Sequence, residues 1–228
     1  MAGEMIQLDP ATMGFEARPE RSDPQPGVII IHEITGLNDN IKLVAQQVAD
    51  RGFVALAVDL FEGKTARGME DGLPLREKVT EDVLRTKISA GVRHLQERPY
   101  CSGQLGIVGF CMGGGLALWS ACLFPDDIQA CSVFYGRIGN ADLLERLKHP
   151  VIGNFGGQDA GITTWAGQEL WPAMVRLEKS LDMKVYPGAP HGFAREGDER
   201  SYRPEAARDA WDRTFRLFDR ELRASTSS

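Results

Sequence analysis

The sequence has few features of exported, membrane-bound or nucleic-acid-binding proteins. The stretch from Met1 to Asp9 has neither a basic start nor an apolar core, so we expect no secretory signal peptide. No apolar run is long enough to cross a bilayer. The net charge of −6 argues against nucleic acid or an anionic membrane surface as a partner. We therefore expect a cytoplasmic protein whose partner is neither a nucleic acid nor a membrane.

Cysteine is scarce, and its spacing excludes the common zinc sites. The four cysteines, at positions 101, 111, 122 and 131, form no Cys-x-x-Cys pair and no zinc-binding pattern. Because no export signal is expected, reduced thiols in a cytoplasm are the simplest interpretation. We therefore look to a cysteine for reactivity rather than for metal binding.

The chain also has no internal repeat and no low-complexity linker, and 228 residues suffice for one sizeable domain. We assign residues 27–222 to that domain. Residues 1–26 form an N-terminal segment with room for a short edge strand near residues 5–8. Residues 223–228 are predicted to be a disordered tail, because they are small and polar.

Apolar runs alternate with helical patterns along the domain. Continuous apolar runs at 27–32 and 53–59 are typical of strands buried on both faces of a parallel sheet. Further strands are predicted at 105–110, 128–135, 151–155 and 183–186. Helices are predicted at 40–50, 74–96, 115–123, 141–147, 165–181 and 204–222, the helix at 165–181 being interrupted or restarted by Pro172. Residues 62–72 are predicted to be a loop. This alternation indicates a single-domain α/β fold with a mostly parallel central sheet and helices on both faces.

A Gly-x-Cys-x-Gly motif lies between a predicted strand and a predicted helix. Cys111 is its third residue, and Gly109 and Gly113 stand two positions to either side. This is the pattern of a nucleophile elbow, in which a strained turn needs small neighbours. The turn aims Cys111 and the N–H of Met112 at a helix N-terminus, where partial positive charge favours a thiolate and an oxyanion. The alternative is a glycine-rich turn with a buried, inert cysteine.

Four chemically active side chains follow four predicted strands. They are Glu33, Cys111, Asp159 and His191. Ligands bind at the carboxyl ends of the strands in open parallel sheets, and the order nucleophile, acid, histidine is that of α/β-hydrolases. We therefore predict Cys111 as nucleophile, His191 as base and Asp159 as the carboxylate that orients it. Alternatively, Asp159 caps its loop and His191 is a surface residue.

Together these motifs resemble the dienelactone hydrolase family of the α/β-hydrolase fold, from about residue 27 to residue 195. The matching segments are 32–36 (His-Glu-Ile-x-Gly), 59–61 (Asp-Leu-Phe), 109–114 (Gly-Phe-Cys-Met-Gly-Gly), 134–136 (Phe-Tyr-Gly), 156–159 (Gly-Gly-Gln-Asp) and 189–195 (Ala-Pro-His-Gly-Phe-Ala-Arg). The resemblance implies hydrolysis of a small-molecule ester or lactone through a thioester. It also implies that no metal and no organic cofactor is needed, in a monomer or small homo-oligomer.

The resemblance further implies roles for individual residues. The N–H groups of Ile34 and Met112 form the oxyanion hole. Glu33 contacts the resting thiol and can accept its proton. Arg195 pairs with that glutamate and helps to hold a substrate carboxylate, to which a guanidinium is well suited. The residues Phe134 and Tyr135 line the substrate site.

One segment departs from the family pattern. Between the strand ending at Asp59 and the helix from Pro74, the family carries a second arginine and a tyrosine for the substrate. Here an ungapped count places Met69 and Leu73 at those positions. Three arginines, Arg67, Arg76 and Arg85, are candidate replacements. The departure makes a broad carboxylesterase with no carboxylate preference an alternative to a dienelactone hydrolase.

Two other classes share parts of the pattern. A class I glutamine amidotransferase has a similar cysteine elbow, but its histidine is followed two residues later by glutamate, and here that residue is Phe193. A non-catalytic binding protein on the same fold would not need the complete set of Cys111, Asp159 and His191. An aryl-ester assay with a thiol blocker separates that class from a hydrolase.

Overall fold

The computed structural model of the protein describes residues 3–223. Its strands are β1 (Glu4–Asp9), β2 (Thr12–Ala17), β3 (Gln25–Ile31), β4 (Val54–Val58), β5 (Cys101–Phe110), β6 (Ile128–Phe134), β7 (Val151–Gly156) and β8 (Leu181–Tyr186). Its α-helices are α1 (Asp39–Asp50), α2 (Met69–Glu77), α3 (Glu81–Gln96), α4 (Met112–Leu123), α5 (Ala160–Trp165), α6 (Trp171–Arg176) and α7 (Pro204–Arg223). The predicted tail lies outside the described residues, apart from Arg223, which ends α7.

The strands form one sheet in the order β1-β2-β4-β3-β5-β6-β7-β8. The pairs β3–β4, β6–β7 and β7–β8 are parallel, whereas β1–β2 and β2–β4 are antiparallel. The predicted α/β fold class with a mostly parallel sheet is therefore confirmed. None of the helices within residues 3–223 is long and apolar enough to span a membrane.

The chain divides within β5 into two compact units, one that ends at Ile107 and one that begins at Val108. In the first unit, α1 and α3 pack on β4, and β3 runs beside β4 with Ile29 opposite Leu56. Every residue of β3 and β4 is buried, which explains why both segments are continuous apolar runs. In the second unit, α4 and α7 pack on β6, and β7 lies between β6 and β8.

The N-terminal segment is a hairpin, of which the sequence suggested only one strand. Strand β1 lies where room for an edge strand was noted, but β2 was not predicted. Strand β2 is mostly buried although it contains Glu16, whose carboxylate bonds with His94 Nε2 at 2.8 Å and accepts a hydrogen bond from Tyr100 at 2.9 Å. These partners satisfy a charge that would otherwise be costly to bury, and they are distant in sequence.

The prediction of a loop at 62–72 and one helix at 74–96 is wrong in part. Helix α2 begins at Met69 and ends at Glu77, and α3 starts only at Glu81. Thr80 separates the two, because its backbone is extended and its hydroxyl accepts a hydrogen bond from Val83 N–H at 3.3 Å. This is an N-cap that helical periodicity alone did not reveal.

The predicted helix at 165–181 begins and ends earlier in the structure than the sequence indicated. Helix α5, a π-helical turn at Ala166–Leu170 and α6 follow one another from Ala160 to Arg176, and β8 begins at Leu181. Pro172 lies at the start of α6. Because proline has no N–H and its ring crowds the preceding turn, the change of helix type occurs just before it.

Candidate active site

Cys111 lies at the sharp turn between β5 and α4. Its backbone has φ 55° and ψ −122°, a strained combination for a residue with a side chain. A Cβ atom at Gly109 would overlap the carbonyl oxygen of Gly113, so only glycine allows the turn to close. The structure therefore has the elbow geometry that the Gly-x-Cys-x-Gly spacing predicted.

The turn is held by the segment that follows β6. The N–H of Cys111 donates to the carbonyl of Phe134 at 3.0 Å, and the N–H of Gly114 donates to the carbonyl of Cys111 at 3.0 Å. A Cβ atom at Gly115 would overlap the carbonyl oxygen of Arg137. The first turn of α4 therefore lies directly against residues 134–137. Met112 is the first residue of that helix, so its N–H lies at the positive end of the helix dipole.

The four cysteines differ in environment. Cys111 is partly exposed, whereas Cys101, Cys122 and Cys131 are buried. Burial raises the pKa of all three buried thiols. The pKa of Cys101 is raised, that of Cys122 is raised to about 12, and that of Cys131 is raised well above its usual value. Because the thiolate is the reactive form, these three thiols are poor nucleophiles. Cys111 combines partial exposure to solvent with a strained backbone conformation.

Asp159 and His191 form a hydrogen-bonded pair. Nδ1 of His191 lies 2.6 Å from Oδ2 of Asp159. Asp159 stands at the start of α5, but its carboxylate does not cap that helix. The carboxylate therefore orients the imidazole, and the alternative of a loop cap for Asp159 does not describe this structure.

Backbone contacts bring the two loops of this pair together. The N–H of Gln158 donates to the carbonyl of Ala189 at 2.9 Å. A Cβ atom at Gly156 would lie 2.5 Å from that same carbonyl oxygen, so a larger residue would push the loops apart. Gly192, next to His191, has φ 77°, a conformation that glycine adopts without strain.

His191 also bonds with Cys111. Burial lowers its pKa, but hydrogen bonds with the Asp159 carboxylate and with Cys111 outweigh it and raise the pKa of His191 to about 10. The imidazolium form is therefore favoured at neutral pH. The structure thus joins Cys111, His191 and Asp159 in one chain of hydrogen bonds, in the order expected of a catalytic triad.

The two predicted substrate-site aromatics are buried side chains. Tyr135 has φ 41°, and its ring lies edge-on to His191 with centroids 5.1 Å apart. Phe134 packs between Phe110 and Trp211, at centroid distances of 4.9 and 5.1 Å. Both side chains are at most 1% exposed. In this conformation Tyr135 packs against His191 and Phe134 packs against Phe110 and Trp211, and their contact with substrate stays a prediction.

Glu33 and Ile34 lie in the loop that follows β3 in the first unit. Both are buried. His32 holds this loop: its Nδ1 lies 2.7 Å from the carbonyl oxygen of Glu33, and its Nε2 accepts from the N–H of Leu60 at 3.2 Å. Burial lowers the pKa of His32, which suits this neutral, locally bonded ring. His32 therefore bonds within the loops around it.

Arg195 lies in the loop that carries His191. Its N–H donates to the carbonyl of Gly192 at 2.9 Å, and its Nη1 lies 3.5 Å from Oδ2 of Asp198. The side chain is 31% exposed, so part of the guanidinium faces solvent. Arg195 can therefore meet a ligand while it keeps a local ion pair.

The segment that departs from the family pattern, between Asp59 and Pro74, contains the start of helix α2, whose surface is partly apolar. Met69 and Leu73 on α2 are 58% and 47% exposed. Of the candidate replacements, Arg85 pairs with Glu81 at 2.8 Å, and Arg76 donates to the carbonyl of Val79 at 3.0 Å. Burial lowers the pKa of Arg76. Both arginines therefore have local roles.

Sequence reasoning missed a polar cluster at the carboxyl end of β8. Tyr186, Asn154, Asp209 and Arg213 are hydrogen-bonded to one another in the second unit. A tyrosine that ends a strand and a polar residue within a buried strand were the available signals. Within residues 3–223, no three His, Cys, Asp or Glu residues are grouped as a metal site would require.

The comparisons with known proteins agree with this geometry. A family model described as "Dienelactone hydrolase family" matches residues 13–222. The chain belongs to the dienelactone hydrolase family. The predicted family and the predicted dienelactone hydrolase-like class of enzyme are thereby confirmed.

Individual relatives cover nearly the whole chain. A "Putative carboxymethylenebutenolidase" of Saccharolobus solfataricus is 33% identical, covering 87% of this chain and 90% of the relative. A "Probable 2-oxo-3-(5-oxofuran-2-ylidene)propanoate lactonase" of Bradyrhizobium sp is 29% identical, covering 94% and 95%. The crystal structure of a "Putative Dienelactone Hydrolase" from Klebsiella pneumoniae has a TM-score of 0.86 at 25% identity, covering 95% of this chain and 97% of that one.

Proposed function

We propose that this dienelactone hydrolase family member cleaves carboxylic ester or lactone bonds through a thioester on Cys111. The observation that carries the proposal is the hydrogen-bonded series Cys111, His191 and Asp159 at a strained elbow. His191, whose pKa is raised to about 10 by its hydrogen bonds with Asp159 and Cys111, carries a proton at neutral pH and can therefore act as the general acid.

The first half-reaction forms the thioester. The Cys111 sulfur forms a bond to the carbonyl carbon, and the carbonyl electron pair moves onto oxygen. When the tetrahedral intermediate collapses, the C–O bond to the leaving group breaks and the His191 imidazolium donates its proton to that oxygen. His191 is then neutral and is held by Asp159 in the tautomer that can act as a base.

The second half-reaction consumes one water. Neutral His191 takes a proton from the water as its oxygen attacks the thioester carbon. Collapse of this second intermediate breaks the C–S bond, releases the carboxylic acid and restores the thiolate. For a lactone, the acid and the hydroxyl or enol are parts of one product.

Donors for the oxyanion come from two places in the chain. We assign the N–H of Met112 as the first donor, because Met112 is the first residue of α4. The N–H of Ile34 is the second donor by the family pattern. Also by that pattern, we assign Glu33 the role of contacting the resting thiol and accepting its proton when substrate displaces it.

The substrate class is the part of the proposal that depends on Arg195. The lactonase relative from Bradyrhizobium is named for a propanoate, a compound with a carboxylate. A partly exposed guanidinium four residues after His191 is suited to such a group. We therefore favour small lactones or esters that carry a carboxylate, in a cytoplasmic monomer or small homo-oligomer that needs no metal or organic cofactor.

A broad carboxylesterase is the second candidate. The observation that favours it is the apolar surface of α2, where Met69 and Leu73 stand at the positions that carry polar substrate ligands in the family. Such a surface would accept neutral, apolar esters.

The test of the mechanism is detection of the acyl-enzyme. Rapid quenching with an aryl ester, followed by mass spectrometry, should show one acyl group on Cys111. Cys111→Ala should abolish both the adduct and turnover, whereas Cys101→Ala, which removes a buried thiol, should retain both. Turnover in Cys111→Ala at the wild-type rate would exclude the mechanism.

A further inference from the structure

Tyr186 joins the two loops that carry the catalytic acid and base. It is the last residue of β8. Its carbonyl oxygen accepts the N–H of Gly157 at 2.8 Å and that of Ala189 at 3.2 Å. Gly157 leads to Asp159, and Ala189 leads to His191. A single carbonyl group therefore fixes the starting points of both loops.

The side chain of Tyr186 is anchored at its far end. Its hydroxyl donates to Oδ2 of Asp209 on α7 at 2.8 Å and lies 3.5 Å from Oδ1 of Asn154 on β7. Lys184 Nζ lies 2.7 Å from the same Asp209 oxygen, and Arg213 Nη1 donates to the Asn154 oxygen at 2.6 Å. Burial and the bond with Asp209 raise the pKa of Tyr186, so the phenol remains a donor.

The ring of Tyr186 is also linked to His191 through packed aromatics. Its centroid lies 5.1 Å from that of Phe193, Phe193 lies 5.4 Å from Tyr135, and Tyr135 lies 5.1 Å from His191. The backbone N–H of Tyr135 donates to the carbonyl of Asn154 at 2.8 Å. The ring of Tyr186 therefore reaches the imidazole through Phe193 and Tyr135, and its hydroxyl lies beside Asn154, whose carbonyl holds the backbone of Tyr135.

We propose that Tyr186 is a positioning residue that sets the geometry of the Asp159–His191 hydrogen bond through its anchored hydroxyl. The proposal rests on the proposed function, in which that pair moves the proton. Tyr186 is 5% exposed and is not placed to meet substrate. Its loss should therefore slow the chemical steps and leave substrate binding nearly unchanged.

The variant Tyr186→Phe removes only the hydroxyl. Asp209 keeps Lys184 and Asn154 keeps Arg213, so neither is left without a partner. We expect kcat to fall roughly tenfold, with KM within about twofold of wild type, because small misplacements of a catalytic group are costly. The low-field proton NMR signal of His191 Nδ1–H should shift or broaden.

Tyr100→Phe is the matched control. Tyr100 also donates its hydroxyl to a carboxylate, that of Glu16, at 2.9 Å, and it lies in the first unit. Each variant should lower Tm by roughly 2–4 °C. Only Tyr186→Phe should change kcat and the His191 signal.

The variant Asp209→Ala removes the other end of the anchor. It should reduce kcat as much as Tyr186→Phe does, and the double variant should show little further loss, because the two groups share one interaction.

The outcomes separate this inference from the proposed function. The NMR signal is recorded without turnover, so it reports the Asp159–His191 bond even if Cys111 proved not to be the nucleophile. A Tyr186→Phe enzyme with wild-type kcat and an unchanged signal would overturn the positioning role. An equal loss of kcat in Tyr100→Phe would overturn it too, because a general loss of stability would then explain both.

Discussion

The carboxylate of Asp159 lies 2.6 Å from the imidazole of His191, although 32 positions separate the two residues in the chain. Each follows a strand of the parallel pair β7 and β8, whose carboxyl ends share one edge of the sheet. Asp159 stands three positions after Gly156, the last residue of β7, and His191 five positions after Tyr186, the last residue of β8, so little freedom remains for either side chain. The fold thus sets the distance between acid and base.

The losses of kcat caused by substituting Asp159 and His191 should not multiply when the two substitutions are combined. Asp159→Ala and His191→Ala should each reduce kcat by several orders of magnitude, and the double variant should lose little more, because triad members act as one unit. Steady-state kinetics of the three variants provide the measurement. Losses that multiply would indicate that the two residues do not share a step.

Ionisation of His191 should also appear in the pH dependence of stability. The folded state raises its pKa from 6.5 to about 10, so the contribution to stability is fully present below pH 6.5 and is lost as pH rises towards 10. Thermal unfolding of wild type and His191→Ala at pH 6 and pH 10 tests this. The Tm advantage of the wild type should be larger at pH 6, and a larger advantage at pH 10 would contradict the assignment.

Gly109 should tolerate no side chain. A Cβ atom there would overlap the carbonyl oxygen of Gly113, so Gly109→Ala must displace the elbow. We expect a loss of about 3 kcal/mol or more in the free energy of unfolding, together with loss of activity. Gly139→Ala is the control, because nothing lies within 4 Å of its added Cβ. Urea titrations that gave both variants equal stability would refute the packing argument.

A buried carboxylate outside the site, that of Glu16, should stabilise the protein above acid pH. Burial alone would raise the pKa of Glu16, but hydrogen bonds from His94 and Tyr100 outweigh it and lower that pKa below 4.5. The stabilisation is therefore present above about pH 4.5 and is lost as pH falls further. Glu16→Gln should cost about 1–3 kcal/mol at pH 7.

The matched control for Glu16→Gln is Glu81→Gln. Glu81 pairs with Arg85 at 2.8 Å on the surface of α3, where ion pairs contribute about 0.3–0.5 kcal/mol. Urea titrations at pH 7 and pH 4 should show a difference for Glu16→Gln that shrinks at the lower pH. A Glu16→Gln variant as stable as Glu81→Gln at pH 7 would show that the buried carboxylate contributes nothing.

Arg195 should discriminate between charged and neutral substrates. Arg195→Ala should raise KM for lactones with a carboxylate by roughly 10- to 100-fold, the loss of one charge-assisted hydrogen bond, and leave neutral aryl esters unchanged. Arg195→Lys should restore part of the affinity, because a lysine lacks the planar fork. Arg200→Ala, which removes a 95% exposed arginine from the same Asp198, is the control. If Arg195→Ala raised KM equally for the charged and the neutral substrates, Arg195 would have a structural role and would not bind the carboxylate.

The elements that the sequence predicted well are those specified by local patterns. The residues of β3 and β4 are buried on both faces, so their composition alone distinguishes them. The elbow at Cys111 could be found because its geometry demands glycine at 109 and 113, and that demand is visible in five consecutive residues. The order of Cys111, Asp159 and His191 then indicated the site.

The features that were missed depend on distant partners. Strand β2 contains Glu16, which reads as an exposed residue until His94, 78 positions away, is seen beside it. The break between α2 and α3 depends on a single cap at Thr80. The role of Tyr186 requires Asp209, which only the packing of α7 supplies.

Helix α2 carries the two positions that the family pattern assigns to substrate binding, Met69 and Leu73. Its Met69 and Leu73 contribute little to the core, since about half of each side chain is exposed. Gly72 between them is fixed, because an added Cβ would lie 2.5 Å from the carbonyl oxygen of Ile34. Evolution or a designed library can therefore vary positions 69 and 73 at little cost in folding free energy, provided that position 72 is kept.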